Sequence, residues 1–177
     1  DYKHIDPEGA DHFKNPINMW DGNPTLRQEI FDNLDYVEEI YFAGGEPLIL
    51  DEHYEILNHL IDIGRTNVRL TYNTNMSKTS YKKQSVFDLW NQFECVSVAA
   101  SLDAMGSRSE YIRHPLKWDT IVKNRKDMMR LSPNTNFNIS PTISIFNVLH
   151  WPDFYTYMYK SGLIEKDSFN INVLHGP

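Results

Sequence analysis

Apolar and polar positions change period along this chain from helical to strand-like and back. Asn23-Pro24 reads as a helix cap with proline at the first helical position, and Leu26, Ile30, Phe31 and Leu34 follow on one helical face. Val37, Ile40, Tyr41 and Phe42 then form a strand-type run that ends in Gly44-Gly45-Glu46-Pro47. Ile56, Leu57, Leu60 and Ile61 predict a core-facing helix over residues 52–63, with Asp51 as its cap and Gly64 as its stop. Val68 to Asn73 reads as a strand. Val86, Phe87, Trp90 and Phe93 predict a helix over residues 81–93, and Val96 to Ser101 a buried strand of small side chains. The clearest helix is 117–131, where Trp118, Ile121, Val122, Met128 and Met129 share a face. A strand lies within 137–146, a helix runs from Pro152 to Gly162, and Phe169 to Leu174 reads as the last strand.

Strands and helices thus alternate at a period of roughly 30–40 residues, the pattern of parallel strands joined by crossover helices. A doubly wound sheet and a barrel both fit, and both place ligands beyond the carboxyl ends of the strands. The first helix has no strand before it, although a right-handed βα architecture expects one. Residues 1–22 are polar and read as the tail of a loop leaving an absent strand, and the sequence stops just after a strand. The expectation is therefore an excerpt cut at both ends, with 1–22 as loop and 23–177 as an incomplete (β/α) core. An unpaired sheet edge beside residues 37–42 follows.

Composition narrows the class. The 177 residues are 41% hydrophobic and 23% charged, enough for a packed globular core. No apolar stretch approaches the roughly 20 residues of a membrane span, and no signal peptide opens the chain. The one cysteine, Cys95, excludes an internal disulfide and fits a reducing, cytoplasmic setting. It precedes a strand and reads as a small core residue. A net charge of -7 argues against a broad phosphate-binding surface, so neither a membrane nor a nucleic-acid partner is expected. The seven histidines show no zinc spacing, and His53 and His59 read as exposed on their helix.

Candidate chemistry gathers at the strand ends. The first strand delivers Gly44, Gly45, Glu46 and Pro47, the second Asn73, Thr74 and Asn75, the third Ser101 and Asp103, and the fourth Thr142, Ser144 and Asn147. Asn, Ser and Asp are ordinary turn formers one at a time. Four successive strands that each bring hydrogen-bonding groups to one rim suit a polar small-molecule site. The two glycines let a ligand approach the backbone closely.

These residues resemble a known family. Gly44-Gly45-Glu46-Pro47 is similar to the Gly-Gly-Glu-Pro motif of radical S-adenosylmethionine (SAM) enzymes. Thr71-Tyr72-Asn73-Thr74-Asn75 resembles the family's Thr-Asn-Gly strand end, with Met76 where glycine is usual, and Ser101-Leu102-Asp103 resembles its Ser-Leu-Asp strand end. Glu110 to Arg113 and Trp118 to Asn124 resemble a stretch of members that carry SPASM or twitch auxiliary domains.

The resemblance implies a partial (β/α) parallel barrel of the radical SAM, TIM-like type, incomplete at its N-terminal strand. It implies that SAM lies across the strand ends. Main-chain groups of Gly44, Gly45 and Glu46, next to Pro47, would accept the SAM ammonium. Ser101, Asp103, Asn73 and Asn75 would meet the ribose or methionine carboxylate, Arg113 would pair with that carboxylate, and backbone at Asn147 and Val148 would border the adenine. The family holds a [4Fe–4S] cluster with three cysteines in C-x3-C-x2-C. That segment is absent here, so no metal ligand is assigned and the fragment alone is expected to be inactive. A full parent enzyme would use SAM, an external reductant and a small-molecule or peptide substrate, forming a 5′-deoxyadenosyl radical that abstracts hydrogen. The alternatives are a cluster-less, inactive (β/α) binding module, and an unrelated barrel enzyme with Glu46 as base.

Overall fold

The computed structural model describes residues 23–173. The expected loop over 1–22 and the last residue of the expected final strand, Leu174, lie outside the described residues. Contacts divide the chain into two units between Tyr36 and Val37. In the first, α1 (Pro24–Asn33) starts as expected: Asn23 Oδ1 accepts the Leu26 amide at 3.0 Å, and Pro24 occupies the first turn. Leu34 is buried, whereas Leu26, Ile30 and Phe31 are half-buried.

The second unit begins with β1 (Glu39–Phe42), α2 (Asp51–Asp62), β2 (Arg69–Thr74), β3 (Ser80–Tyr81), β4 (Gln84–Ser85) and α3 (Val86–Trp90). It continues with β5 (Val96–Ala100), α4 (Gly106–Ile112), α5 (Trp118–Leu131), β6 (Asn136–Ile139), β7 (Thr142–Ile143), α6 (Trp151–Lys160) and β8 (Asn172–Val173). Four strands form a parallel sheet in the order β1-β2-β5-β6. A bridge from Ile139 to Phe169 and the parallel pair β7-β8 carry the pairing on past β6. The protein is thus α/β with a parallel sheet, and among the described residues β1 is an edge strand of it.

Register explains the two faces. Phe42, Tyr72, Val98 and Phe137 align across the sheet and point to one side. There Phe42 stacks on Tyr72 at 5.0 Å, His53 from α2 and Trp90 from α3 close on the Tyr72 ring, and Arg125 from α5 lies over Phe137. The opposite side carries Tyr41, Thr71, Ser97 and Asn136 in one register row, with Asn73, Ala99 and Asn138 in the next. These residues are exposed or half-buried. A parallel sheet with apolar cover on one face and a polar row on the other differs from the usual doubly covered arrangement.

Several sequence expectations change. Asp51 is the first residue of α2 rather than its cap, and its carboxylate pairs with Lys82 at 2.6 Å. His53 is 2% exposed, not on the surface. Its Nε2 lies 3.0 Å from the Tyr72 hydroxyl, because position 53 falls on the same helical face as Leu57 and Leu60. The helix expected over 81–93 is a single short α3 preceded by the β3-β4 hairpin, whose turn residues Lys82 and Lys83 take φ values of 45° and 71°. The strand expected within 137–146 is interrupted between Ile139 and Thr142, where Pro141 withholds an amide donor. Met129 is exposed although Met128 beside it is fully buried.

Candidate functional site

Beyond β1 the chain turns at Gly44, whose φ is 117°. A Cβ placed on Gly44 or on Gly45 would meet nothing within 4 Å, so this turn presents open backbone. Glu46 follows in extended conformation and caps the short 3-10 helix Pro47–Ile49, its Oε1 accepting the Leu48 amide at 3.3 Å. The same oxygen accepts the Thr74 hydroxyl at 2.6 Å, and Oε2 accepts the Asn75 amide at 2.8 Å. The carboxylate is buried and binds the end of β1 to the end of β2. Both of its oxygens are already engaged by donors of the chain itself, which weighs against the barrel reading built on Glu46 as base.

The turn after β2 is held from several sides. Thr74 Oγ1 accepts the Met76 amide at 3.0 Å, Asn75 Oδ1 accepts the Ser77 amide at 2.8 Å, and Asn124 Nδ2 donates to the Met76 carbonyl at 2.7 Å. Met76 itself has φ 57°, the left-handed conformation that glycine adopts without strain. The position where the resemblance expects glycine is therefore one where backbone geometry favours it. The Met76 side chain is buried, which offsets the cost.

The end of β5 is tied to β2 through the Ser101 amide, which donates to the Thr74 carbonyl at 2.8 Å. Asp103 then makes the connection to later elements. Its Oδ2 accepts Arg113 Nε at 2.6 Å and its Oδ1 accepts the Thr142 amide at 2.8 Å. Asn147, 1% exposed, donates from Nδ2 to the carbonyls of Asp103 and Thr142, both at 2.9 Å, and accepts the Ser144 amide at 2.7 Å. The stretch from Glu110 to Trp118 has a physical role in the same region. Glu110 Oε1 accepts the Trp118 amide at the start of α5, and Oε2 pairs with Lys117. That amide and then Lys117 hold the Glu110 carboxyl below its ordinary range.

Beside these loops lies a cleft of about 700 Å³. Glu46, Asn75 and Arg113 line it, together with Lys78, the cis-peptide pair His114-Pro115, and Lys117. Arg113 offers this cleft an unusual donor: with Nε on Asp103, its two outer nitrogens have no partner among the described residues. Lys78 likewise has no acidic partner among the described residues. Burial, then the Glu46 charge, pushes the nearby Tyr54 hydroxyl up to about 12, and that hydroxyl donates to the Leu48 carbonyl at 3.0 Å.

Of the residues picked from sequence, Glu46, Asn75 and Arg113 share the cleft. Asp103 does not line it but accepts Arg113 Nε, and Asn147 in turn donates to the Asp103 carbonyl. Gly44 and Gly45 lie just before Glu46, and Pro47 is buried just after it. Asn73 stands on the polar sheet face and donates to the Tyr41 hydroxyl at 2.5 Å. Ser101 is half-buried at the end of β5, and Val148 is exposed, its amide on the Ser144 carbonyl. Sequence reading missed Lys78 and His114 to Lys117, which also line the cleft and for which loop composition gives no signal. Asn124 had one: a polar residue three positions from Ile121 on the buried face of α5.

Cys95 is half-buried, and no group of three or more His, Cys, Asp or Glu side chains suited to a metal ion occurs among the described residues. No helix among the described residues is long and apolar enough to cross a membrane.

Fold and cleft define the class: a parallel α/β protein with a polar site at the carboxyl ends of its strands. No family model and no curated protein matches the chain. A solved structure described as native anSMEcpe with bound AdoMet shares the fold, with a TM-score of 0.60 and 14% identity over 88% of this chain. The match covers 43% of that neighbour, so this chain spans less than half its length.

Proposed function

We propose that this chain is the SAM-binding part of a radical SAM enzyme of the SPASM or twitch type, a partial barrel of TIM-like form. The observation that carries the reading is the hydrogen-bonded rim: Glu46 on Thr74 and Asn75, Thr74 on Ser101, and Asp103 on Arg113 and Thr142, next to a cleft of about 700 Å³. Those strand ends carry three of the four motifs that resemble the family, and the fourth runs from α4 into α5. The structural neighbour with bound AdoMet, which is SAM, supports the same ligand.

The residues fit SAM. Gly44 and Gly45 present backbone with open space in front of it, suited to accept an ammonium group. The outer nitrogens of Arg113, without a partner among the described residues, would suit the methionine carboxylate. Asn75 would supply a polar group beside them, and on this reading Ser101 and Asn73 would meet the ribose and the backbone at Asn147 and Val148 would border the adenine. The residues do not fit a [4Fe–4S] cluster, which needs three thiolates against the single Cys95. No step through a cluster is assigned to this chain; its task is to hold and orient SAM. In a parent enzyme with cluster ligands elsewhere, the reaction class is reductive SAM cleavage and hydrogen abstraction from a small-molecule or peptide substrate.

The second reading, a cluster-less binding module, draws on the same lone cysteine. The two readings differ in the parent gene: three cysteines at C-x3-C-x2-C spacing ahead of Asp1 support the enzyme. The direct test of SAM binding is titration of the chain with SAM, followed by backbone amide NMR. Shifts at Gly45, Asn75 and Arg113 are expected; none at millimolar SAM overturns both readings.

A further inference from the structure

We infer that Asp103 is a positioning residue that aims the Arg113 guanidinium into the cleft and so makes that end of the cleft selective for a carboxylate. This rests on the reading that SAM occupies the cleft. The family resemblance placed Asp103 in direct contact with SAM, and the geometry assigns it another role. The Asp103 side chain is only 8% exposed and both its oxygens have partners inside the chain: Arg113 Nε at 2.6 Å and the Thr142 amide at 2.8 Å. Its main chain is fixed as well, since Asn147 Nδ2 donates to its carbonyl at 2.9 Å. Asp103 is therefore held along backbone and side chain, and it faces Arg113 rather than the cleft.

The consequence for Arg113 follows from guanidinium chemistry. The group is planar and its five N–H donors have fixed directions. A carboxylate gripping Nε therefore sets the plane and the heading of the outer nitrogens, which are the pair that matches a second carboxylate bidentately. At 29% side-chain exposure Arg113 keeps contact with the cleft while its inner edge is enclosed. Without Asp103, the flexible arginine stem would sample many headings and lose that preorganisation. Lys78, which lines the same cleft, supplies positive charge that is not already neutralised by an acid among the described residues. Lys117 is engaged by Glu110.

The experiment compares SAM with its decarboxylated analogue, which keeps the sulfonium, ribose and adenine and lacks the carboxylate. The wild-type chain should prefer SAM by at least about tenfold, the size of one charge-assisted bidentate contact. Asp103→Asn should lose most of that preference while binding the analogue as the wild type does. Arg113→Lys, which keeps the charge and loses the fork, should behave the same way and serves if the Asp103 variant does not fold. A retained preference in either variant overturns the inference, as does an equal loss of both ligands in Asp103→Asn, the mark of a merely structural support. Equal wild-type binding of the two ligands also overturns it and leaves the SAM reading standing. No wild-type binding of either ligand removes the SAM reading, and the inference falls with it.

Discussion

Glu46 Oε2 accepts the Asn75 amide at 2.8 Å while its Oε1 accepts the Thr74 hydroxyl at 2.6 Å, so one buried carboxylate from the end of β1 organises the end of β2. This predicts the outcome of Glu46→Gln. Glutamine keeps one oxygen and turns an amino group toward a donor, so at least one buried N–H or O–H loses its acceptor. The expected cost is about 1–3 kcal/mol of stability, read from the urea midpoint at neutral pH. An unchanged midpoint would show that the two strand ends do not depend on this carboxylate.

Gly45→Val separates fold from ligand. The Gly45 backbone lies outside the left-handed region and has open space where a side chain would go, so the variant should stay within about 0.5 kcal/mol of wild type. Its branched side chain would stand where the proposed function has SAM approach the backbone, and SAM affinity should fall by more than about tenfold. Gly44→Ala should do the opposite: at φ 117° the added Cβ strains the turn itself and lowers stability by about 1 kcal/mol or more. Unchanged SAM binding in Gly45→Val would remove the role given to this turn.

The sequence made the parallel α/β class legible because its cues are local. Leu57 and Leu60 mark one helix face, Leu70 and Tyr72 alternate along β2, and Gly64, at φ 73°, ends α2 where expected. What escaped detection depends on distant partners. His53 reads as polar, yet the Tyr72 hydroxyl and the Phe42 ring make a place for it in the core. Lys82-Lys83 lacks the glycine or asparagine that usually announces a tight hairpin. At the site, the positions of Glu46, Asp103 and Asn147 could be read from strand ends. Their roles could not, because each side chain has a hydrogen-bond partner that is 28 to 44 residues away in sequence.

Asn147 illustrates such a hidden role and carries a prediction. Its side chain satisfies two carbonyls and one amide, those of Asp103, Thr142 and Ser144. Asn147→Ala leaves all three without that partner in a buried place, at a cost above about 2 kcal/mol. Asn147→Asp keeps an acceptor for Ser144, loses both donors and sets a carboxylate against two carbonyls, so it should be no more stable than the alanine variant. Chemical denaturation of the three proteins gives the order; a stable aspartate variant would mean the carbonyls are served by other groups.

His53 gives the fold a pH dependence whose direction is fixed. Burial pushes its pKa down to about 3, Nδ1 has no partner among the described residues, and Nε2 faces the Tyr72 hydroxyl. In the unfolded chain the ring titrates near its ordinary 6.5. Between these values the unfolded state binds the extra proton, so stability is complete above 6.5 and is lost as pH falls toward 3. The slope is about 1.4 kcal/mol per pH unit over that window. His53→Leu should be less stable at pH 7.5, because Tyr72 loses its hydrogen bond, yet its stability should fall less steeply from pH 6.5 to 5. The remaining histidines are common to both proteins and drop out of the difference. Urea midpoints at pH 7.5, 6.5, 5.5 and 5 test this directly, and parallel curves for the two proteins would mean that His53 takes up its proton alike in the folded and unfolded states.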